Sequence, residues 1–191
     1  MTARRREPDL VLGLGHSAAG IRALQRGDLV RAQASLAKAV ARLKRAVELD
    51  PRDMGAVGAL ASALGVLGEA RSRAGEDAAA ASAYDVAVAL WRGRLELDAD
   101  DRDGLKGMAA ALRGLGDAHR RAGAHAEALG AYDEALPVAR RALAACEEDE
   151  DTPRAVAARR ARTGDLVVVL ERLGDGRRET GDVEAALADY E

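Results

Sequence analysis

Several clusters in this 191-residue chain have residue types suited to chemistry. Gly13-Leu14-Gly15-His16-Ser17-Ala18 fits G-x-G-x-x-G/A, in which glycines let a backbone close on a pyrophosphate at a helix N-terminus. That fingerprint needs a strand before it and a parallel strand after the helix, with an acidic residue to hold the ribose. The residues that follow, Ala32–Leu49, read as helix instead. Gly15-His16-Ser17-Ala18-Ala19-Gly20 approximates a nucleophile elbow but carries one residue too many for G-x-S-x-G. Asp98–Gly104 is dense in carboxylates, yet Arg102 stands where a calcium loop needs Asp or Asn, and the closing Glu is missing. His119, His125 and Cys146 do not have zinc spacing. These tests leave no catalytic, cofactor-binding or metal-binding residue, and the chain reads as a non-enzyme.

The elements that hold these residues come from composition and repetition. The chain is 48% hydrophobic with 2% aromatics and no Phe, and Ala, Leu and Val dominate. Ala favours helix and lets helices approach closely, whereas several strands would want more β-branched and aromatic residues. Basic (29) and acidic (32) residues are interspersed, for a net charge of −3, which lacks the basic footprint of a nucleic-acid binder. The single Cys146 excludes an internal disulfide framework. Arg4-Arg5-Arg6 is followed at once by Glu7, Pro8 and Asp9, and Gly13 breaks the short apolar run, so an export signal is not expected. No segment is long enough to span a bilayer, and a cytoplasmic location is expected.

Self-similarity sets the architecture. Leu67-Gly68-Glu69-Ala70 returns as Leu115-Gly116-Asp117-Ala118, an offset of 48 (115 − 67). Ala74-Gly75 returns as Ala122-Gly123, and Ala83-Tyr84-Asp85 as Ala131-Tyr132-Asp133, at the same offset. The next recurrence, Leu173-Gly174-Asp175 with Thr180-Gly181 and Asp189-Tyr190-Glu191, lies 58 on (173 − 115), so ten residues are inserted, at the acidic stretch Cys146–Pro153.

Each unit reads helix, glycine turn, helix. Val57, Leu60, Leu64 and Leu67 form one helix face; Gly75 ends that helix and Asp77 is placed to cap the next. Ala80, Tyr84, Ala87, Trp91 and Leu95 mark the buried face of the second helix. The expectation is an all-α solenoid of about four antiparallel pairs. First helices are expected near 10–25, 54–73, 102–121 and 154–179, and second helices near 29–48, 77–97 and 125–145, with a stub from 183. The units run about 8–50, 51–98, 99–146 and 154–191, the last truncated, with the insertion at about 146–155. Pro137 should kink or break its helix, because it lacks an N–H and crowds the carbonyl of Asp133.

These residues resemble the tetratricopeptide-repeat family. Its pattern of an apolar residue, Leu-Gly, a turn Gly, a small Ala and an aromatic reads here as Leu64, Leu67-Gly68, Gly75, Ala80 and Tyr84. It reads as Leu112, Leu115-Gly116, Gly123, Ala128 and Tyr132 in the next unit, and as Leu170, Leu173-Gly174, Gly181, Ala186 and Tyr190 in the last. The first unit is weaker, with His16, Ala19-Gly20, Gly27, Ala32 and Leu36. The family's repeat is about 34 residues, so the longer period resembles the long-helix variant of bacterial arrays and kinesin-light-chain-like proteins. The family's second aromatic is replaced by Arg71, His119 and Arg177.

The resemblance implies a protein-interaction scaffold that binds a peptide or partner helix on a concave face lined by first helices. It places Ser62, Gly65, Glu69 and Ser72 there, then Ala110, Arg113, Asp117 and Arg120, then Val168, Glu171, Asp175 and Arg178. Both charge signs occur in this set, which does not read as a strongly cationic clamp. The partner-binding residues singled out are Glu69, Ser72, Arg113, Asp117, Arg120, Glu171, Asp175 and Arg178. Expected partners are proteins or peptides, not nucleic acid or membrane. The C-terminal end, without a polar capping helix, is open to self-association. The other reading is the sensor or substrate-recruiting region of a larger signalling enzyme or regulator.

Overall fold

The computed structural model describes residues 3–147, 153–179 and 181–182. They form helices α1 (Ala3–Gln25), α2 (Leu29–Leu49), α3 (Met54–Arg73), α4 (Asp77–Leu97), α5 (Arg102–Arg121), α6 (His125–Glu147) and α7 (Pro153–Glu179). Among the described residues there is no strand. Each helix packs on the next, and the first helices α1, α3 and α5 also touch in succession, which makes an α-solenoid of tetratricopeptide-like helix hairpins. The stub from residue 183, with Ala186 and Tyr190, and the acidic residues 148–151 lie outside the described residues.

A glycine in a left-handed conformation follows each of α1, α3, α5 and α7. Gly27, Gly75, Gly123 and Gly181 have φ of 77°, 79°, 78° and 86°, which costs an L side chain far more than glycine. At Gly75 the amide donates to the carbonyl of Ser72 (3.1 Å) and the Glu76 amide to that of Arg71 (2.9 Å). The same pair of bonds recurs at Gly27 and Gly123, and satisfies carbonyls that the helix end leaves free. Between units, Asp53 accepts from the Gly55 and Ala56 amides and starts α3.

Three expectations change. Asp77 is not a cap: it lies in the first turn of α4 after Glu76, which makes no side-chain cap bond, and it accepts instead from Arg121 Nε at 2.8 Å. Pro137 does not break α6, which runs through it to Glu147. Pro137 and Asp133 are both exposed, so the Asp133 carbonyl deprived of its amide partner is left open to solvent. Helix α1 begins at Ala3, ahead of the expected residue 10, and includes Pro8. The Gly13–Ala18 segment is therefore continuous helix, with no strand leading into it.

The core is a seam of small and large residues from facing helices. Ala32, Leu36, Ala39, Leu43 and Ala46 of α2 are fully buried. In α4 the matching stripe is Ala80, Tyr84, Ala87 and Trp91. Glycines admit the large members. A Cβ on Gly68 would lie 2.9 Å from the Tyr84 ring, closer than such contacts allow.

Candidate functional site: a groove lined by first helices

One groove stands out, with a volume of about 840 Å³, lined mainly by α3 and α5 and closed on one side by α7. Its floor is aromatic. Trp91 and Tyr84 stand seven residues apart on α4, on one face, and reach up between α3 and α5. They do so because α5 carries glycine opposite each. A Cβ on Gly114 would come within 2.5 Å of the Tyr84 ring, and one on Gly107 would enter the indole of Trp91.

Arg94, one turn beyond Trp91, locks this floor to both neighbouring helices. Its guanidinium lies 5.3 Å from the centre of the indole ring. It donates to the Met54 carbonyl (2.7 Å) at the start of α3 and to Asp101 (2.7 Å) at the start of α5. Gly58 leaves the space it occupies.

The walls are polar. Glu69 pairs with Arg73 at 2.5 Å, and Ser72 accepts a hydrogen bond from Arg121. Asp117 accepts from the Tyr132 hydroxyl at 2.8 Å and from Arg172 Nε of α7 at 3.0 Å. Arg113 lies 3.5 Å from Asp165 of α7, which is also held at 2.5 Å by Arg162. Burial, then the nearby Glu69 carboxylate, pushes the Tyr84 hydroxyl up to about 12, with Arg121 and Arg113 pulling the other way. Burial, then Asp117, raises Tyr132 further. Both phenols are therefore neutral at physiological pH, and Tyr132 serves as a donor.

Of the residues singled out from the sequence, Glu69, Ser72, Arg113 and Asp117 line this groove, as do Ser62, Gly65, Ala110 and Val168. Arg120 is not part of the lining. Although burial lowers its pKa, the nearby Tyr132 hydroxyl and Asp117 outweigh that and leave it raised. Glu171, Asp175 and Arg178 lie outside the lining as well. Glu171 is exposed, and Asp175 and Arg178 pair with each other at 3.2 Å. On α7 the groove meets Val168 and Arg172 instead.

The sequence reading missed the two aromatics, the glycines above them, and the cations Arg73, Lys106, Arg121 and Arg172. The glycines carried a signal, since Gly107 and Gly114 are two turns apart on one helix face, as Trp91 and Tyr84 are. The charge mixture is also lopsided. Five cations (Arg73, Lys106, Arg113, Arg121, Arg172) stand against two carboxylates (Glu69, Asp117), in a chain whose net charge is −3.

The lining offers hydroxyls, carboxylates, cations and an aromatic floor, but neither His nor Cys. Among the described residues no group of His, Cys, Asp and Glu is placed to hold a metal ion, and no helix is long and apolar enough to cross a membrane. Such a surface can bind by charge, hydrogen bonding and apolar contact.

No protein-family model matches the chain, and no curated protein matches it. Among solved structures it is similar to the crystal structure of MamA protein, at 16% identity over 94% of this chain and 88% of that one, with a TM-score of 0.44.

Proposed function

We propose that this protein is a binding scaffold that takes an extended peptide or a helix of a partner protein into the groove between α3, α5 and α7. One observation carries the reading: a cleft of about 840 Å³ has a floor of buried aromatics and walls of polar side chains. A cleft that is partly apolar, with a few convergent polar groups, is the ordinary form of a recognition site. An elongated helical surface suits a peptide, which gains apolar contact on the floor and polar contact on the walls.

A groove-filling variant tests it. Ala110 is exposed and lines the groove, so Ala110→Trp occupies the cleft without entering the core. The expected result is unchanged helical circular dichroism and melting, with loss of the partners that the parent protein retains in affinity capture. Retention of the same partners by the folded variant would place binding elsewhere on the surface.

A further inference from the structure

The charges in the groove name the class of partner and suggest how access is regulated; this step rests on the groove being the binding site. We infer that the groove recognises an acidic peptide segment, and that Asp165 of α7 is a built-in competitor occupying one of the cation positions such a peptide would use.

Three of the five lining cations are already committed: Arg73 to Glu69, Arg121 to Asp77 and Ser72, and Arg172 to Asp117. Two remain to meet a ligand. Lys106 is exposed and has no ion-pair partner among the described residues. Among the described residues Arg113 pairs only with Asp165, at 3.5 Å, the longest of the ion pairs described. Asp165 has a closer partner in Arg162 at 2.5 Å, so it can release Arg113 and keep a compensating charge.

Lys106 and Arg113 are seven residues apart on α5, on one face, and so about 10 Å apart along the groove at the helical rise. Each stands beside a glycine that sits over an aromatic, Lys106 next to Gly107 and Trp91, Arg113 next to Gly114 and Tyr84. In a polyproline II chain, with three residues per turn, residues i and i+3 share one face and lie about 9 Å apart, close to this spacing. A peptide with carboxylates at positions i and i+3 would therefore set one on each cation, with its backbone over the aromatic floor. Asp165 shows that a carboxylate from a neighbouring element can reach Arg113.

A single-stranded nucleic acid is also anionic and stacks on aromatics. Glu69 and Asp117 interrupt the cationic line, however, and the acidic chain as a whole repels a polyanion. Those features favour discrete carboxylates over a continuous phosphate track.

Trp91 is the only tryptophan and lines the groove, so its fluorescence reports occupancy directly. The experiment titrates the protein with a decapeptide carrying Glu at every third position, its Gln counterpart, its Lys counterpart and a decameric oligothymidylate, at low and high salt. The Glu peptide should bind about tenfold more tightly than the Gln peptide at low salt, and the gap should narrow at high salt. Asp165→Asn should tighten the Glu peptide about threefold, in keeping with removal of one exposed ion pair, and leave the Gln peptide unchanged. Lys106→Gln, at an exposed position where folding is not at stake, should weaken the Glu peptide alone.

Equal binding of the Glu and Gln peptides would overturn the acidic preference while leaving the groove as a site. Unaltered Glu-peptide affinity in folded Asp165→Asn would remove Asp165 as competitor. Tighter binding of the oligothymidylate would reassign the partner class. A silent Trp91 with every probe would overturn both this inference and the groove itself.

Discussion

Two junctions between successive units, built from the same repeat, solve the same packing problem in different ways. Where α4 and α5 meet, Trp91 and Tyr84 press against Gly107 and Gly114, and the first helices α3 and α5 touch directly. Where α6 and α7 meet, the repeat offset of 58 places Asp165 at the position of Gly107 and Arg172 at that of Gly114. There Tyr132 remains, but α5 and α7 are joined across the groove by Arg113–Asp165 and Asp117–Arg172. Glycine brings backbones together over a rigid floor, while long charged side chains hold a neighbour at arm's length. The groove lies where the close junction gives way to the charged one, and that change, rather than the repeat itself, creates a cleft.

The largest test of this contrast overfills the close junction. Gly107→Leu and Gly114→Leu place side chains into the Trp91 and Tyr84 rings, which are already buried in the seam. Overpacking of this kind costs about 3 kcal/mol, a fall in melting midpoint of roughly 6–12 °C for a chain of this size. The equivalent changes in the charged junction, Asp165→Leu and Arg172→Leu, should cost under about 1 kcal/mol each, because the pairs they break are about a third exposed. Similar costs at both junctions, measured by thermal and urea melts, would erase the distinction.

Alkaline pH comes next and touches both junctions through their tyrosines. The Tyr84 hydroxyl titrates near 12 in the folded protein against about 10 in an unfolded chain. The unfolded state therefore loses its proton first. The stabilisation is fully present below pH 10 and disappears as pH rises through 12. A shift of this size corresponds to an effect on the order of 2–3 kcal/mol for Tyr84, with Tyr132 adding in the same direction. Phenolate absorbance should rise for these two tyrosines only as the helical signal falls; an early rise with helices intact would show that neither ring is sealed.

The close junction was partly legible in the sequence and the charged one was not, for a physical reason. Gly68 and Tyr84 belong to one repeat and recur as Gly116 and Tyr132, so their pairing could be read from the period. Gly107 and Gly114 meet aromatics of the preceding unit, and that contact becomes apparent only when the units are stacked. In α7 the family pattern assumed the same rotation as in α3 and α5, which put Glu171, Asp175 and Arg178 in the groove. The inserted residues lengthen α7, which starts at Pro153 well ahead of Arg160, where the register would begin it, and Arg172 reaches Asp117 across the gap. Repetition therefore specified the helices and turns, while departures from repetition shaped the site.

A smaller effect separates two glycines of the groove wall. Nothing lies within 4 Å of a Cβ built on Gly65, whereas on Gly114 it meets the Tyr84 ring at 2.5 Å. Both are inside helices, so Gly65→Ala should stabilise by about 0.5–1 kcal/mol through helix propensity. Gly114→Ala should destabilise despite the same propensity gain. Opposite signs in denaturant melts are the expected outcome, and matching signs would mean that the aromatic floor yields more easily than its contacts imply.

The smallest effect is local and concerns salt. The two ion pairs that tie α7 to α5 are partly solvated, so raising salt from low to molar concentration weakens each by a few tenths of a kcal/mol. The Trp91 and Tyr84 contacts carry no charge and should not weaken. Amide hydrogen exchange in α7 should therefore quicken with salt severalfold at most, while the buried faces of α3, α4 and α5 keep their protection. Uniform quickening across the solenoid would mean that the units open together and that the charged junction is no looser than its neighbour. Quickening confined to α7 would make it the side of the groove that yields first to a ligand.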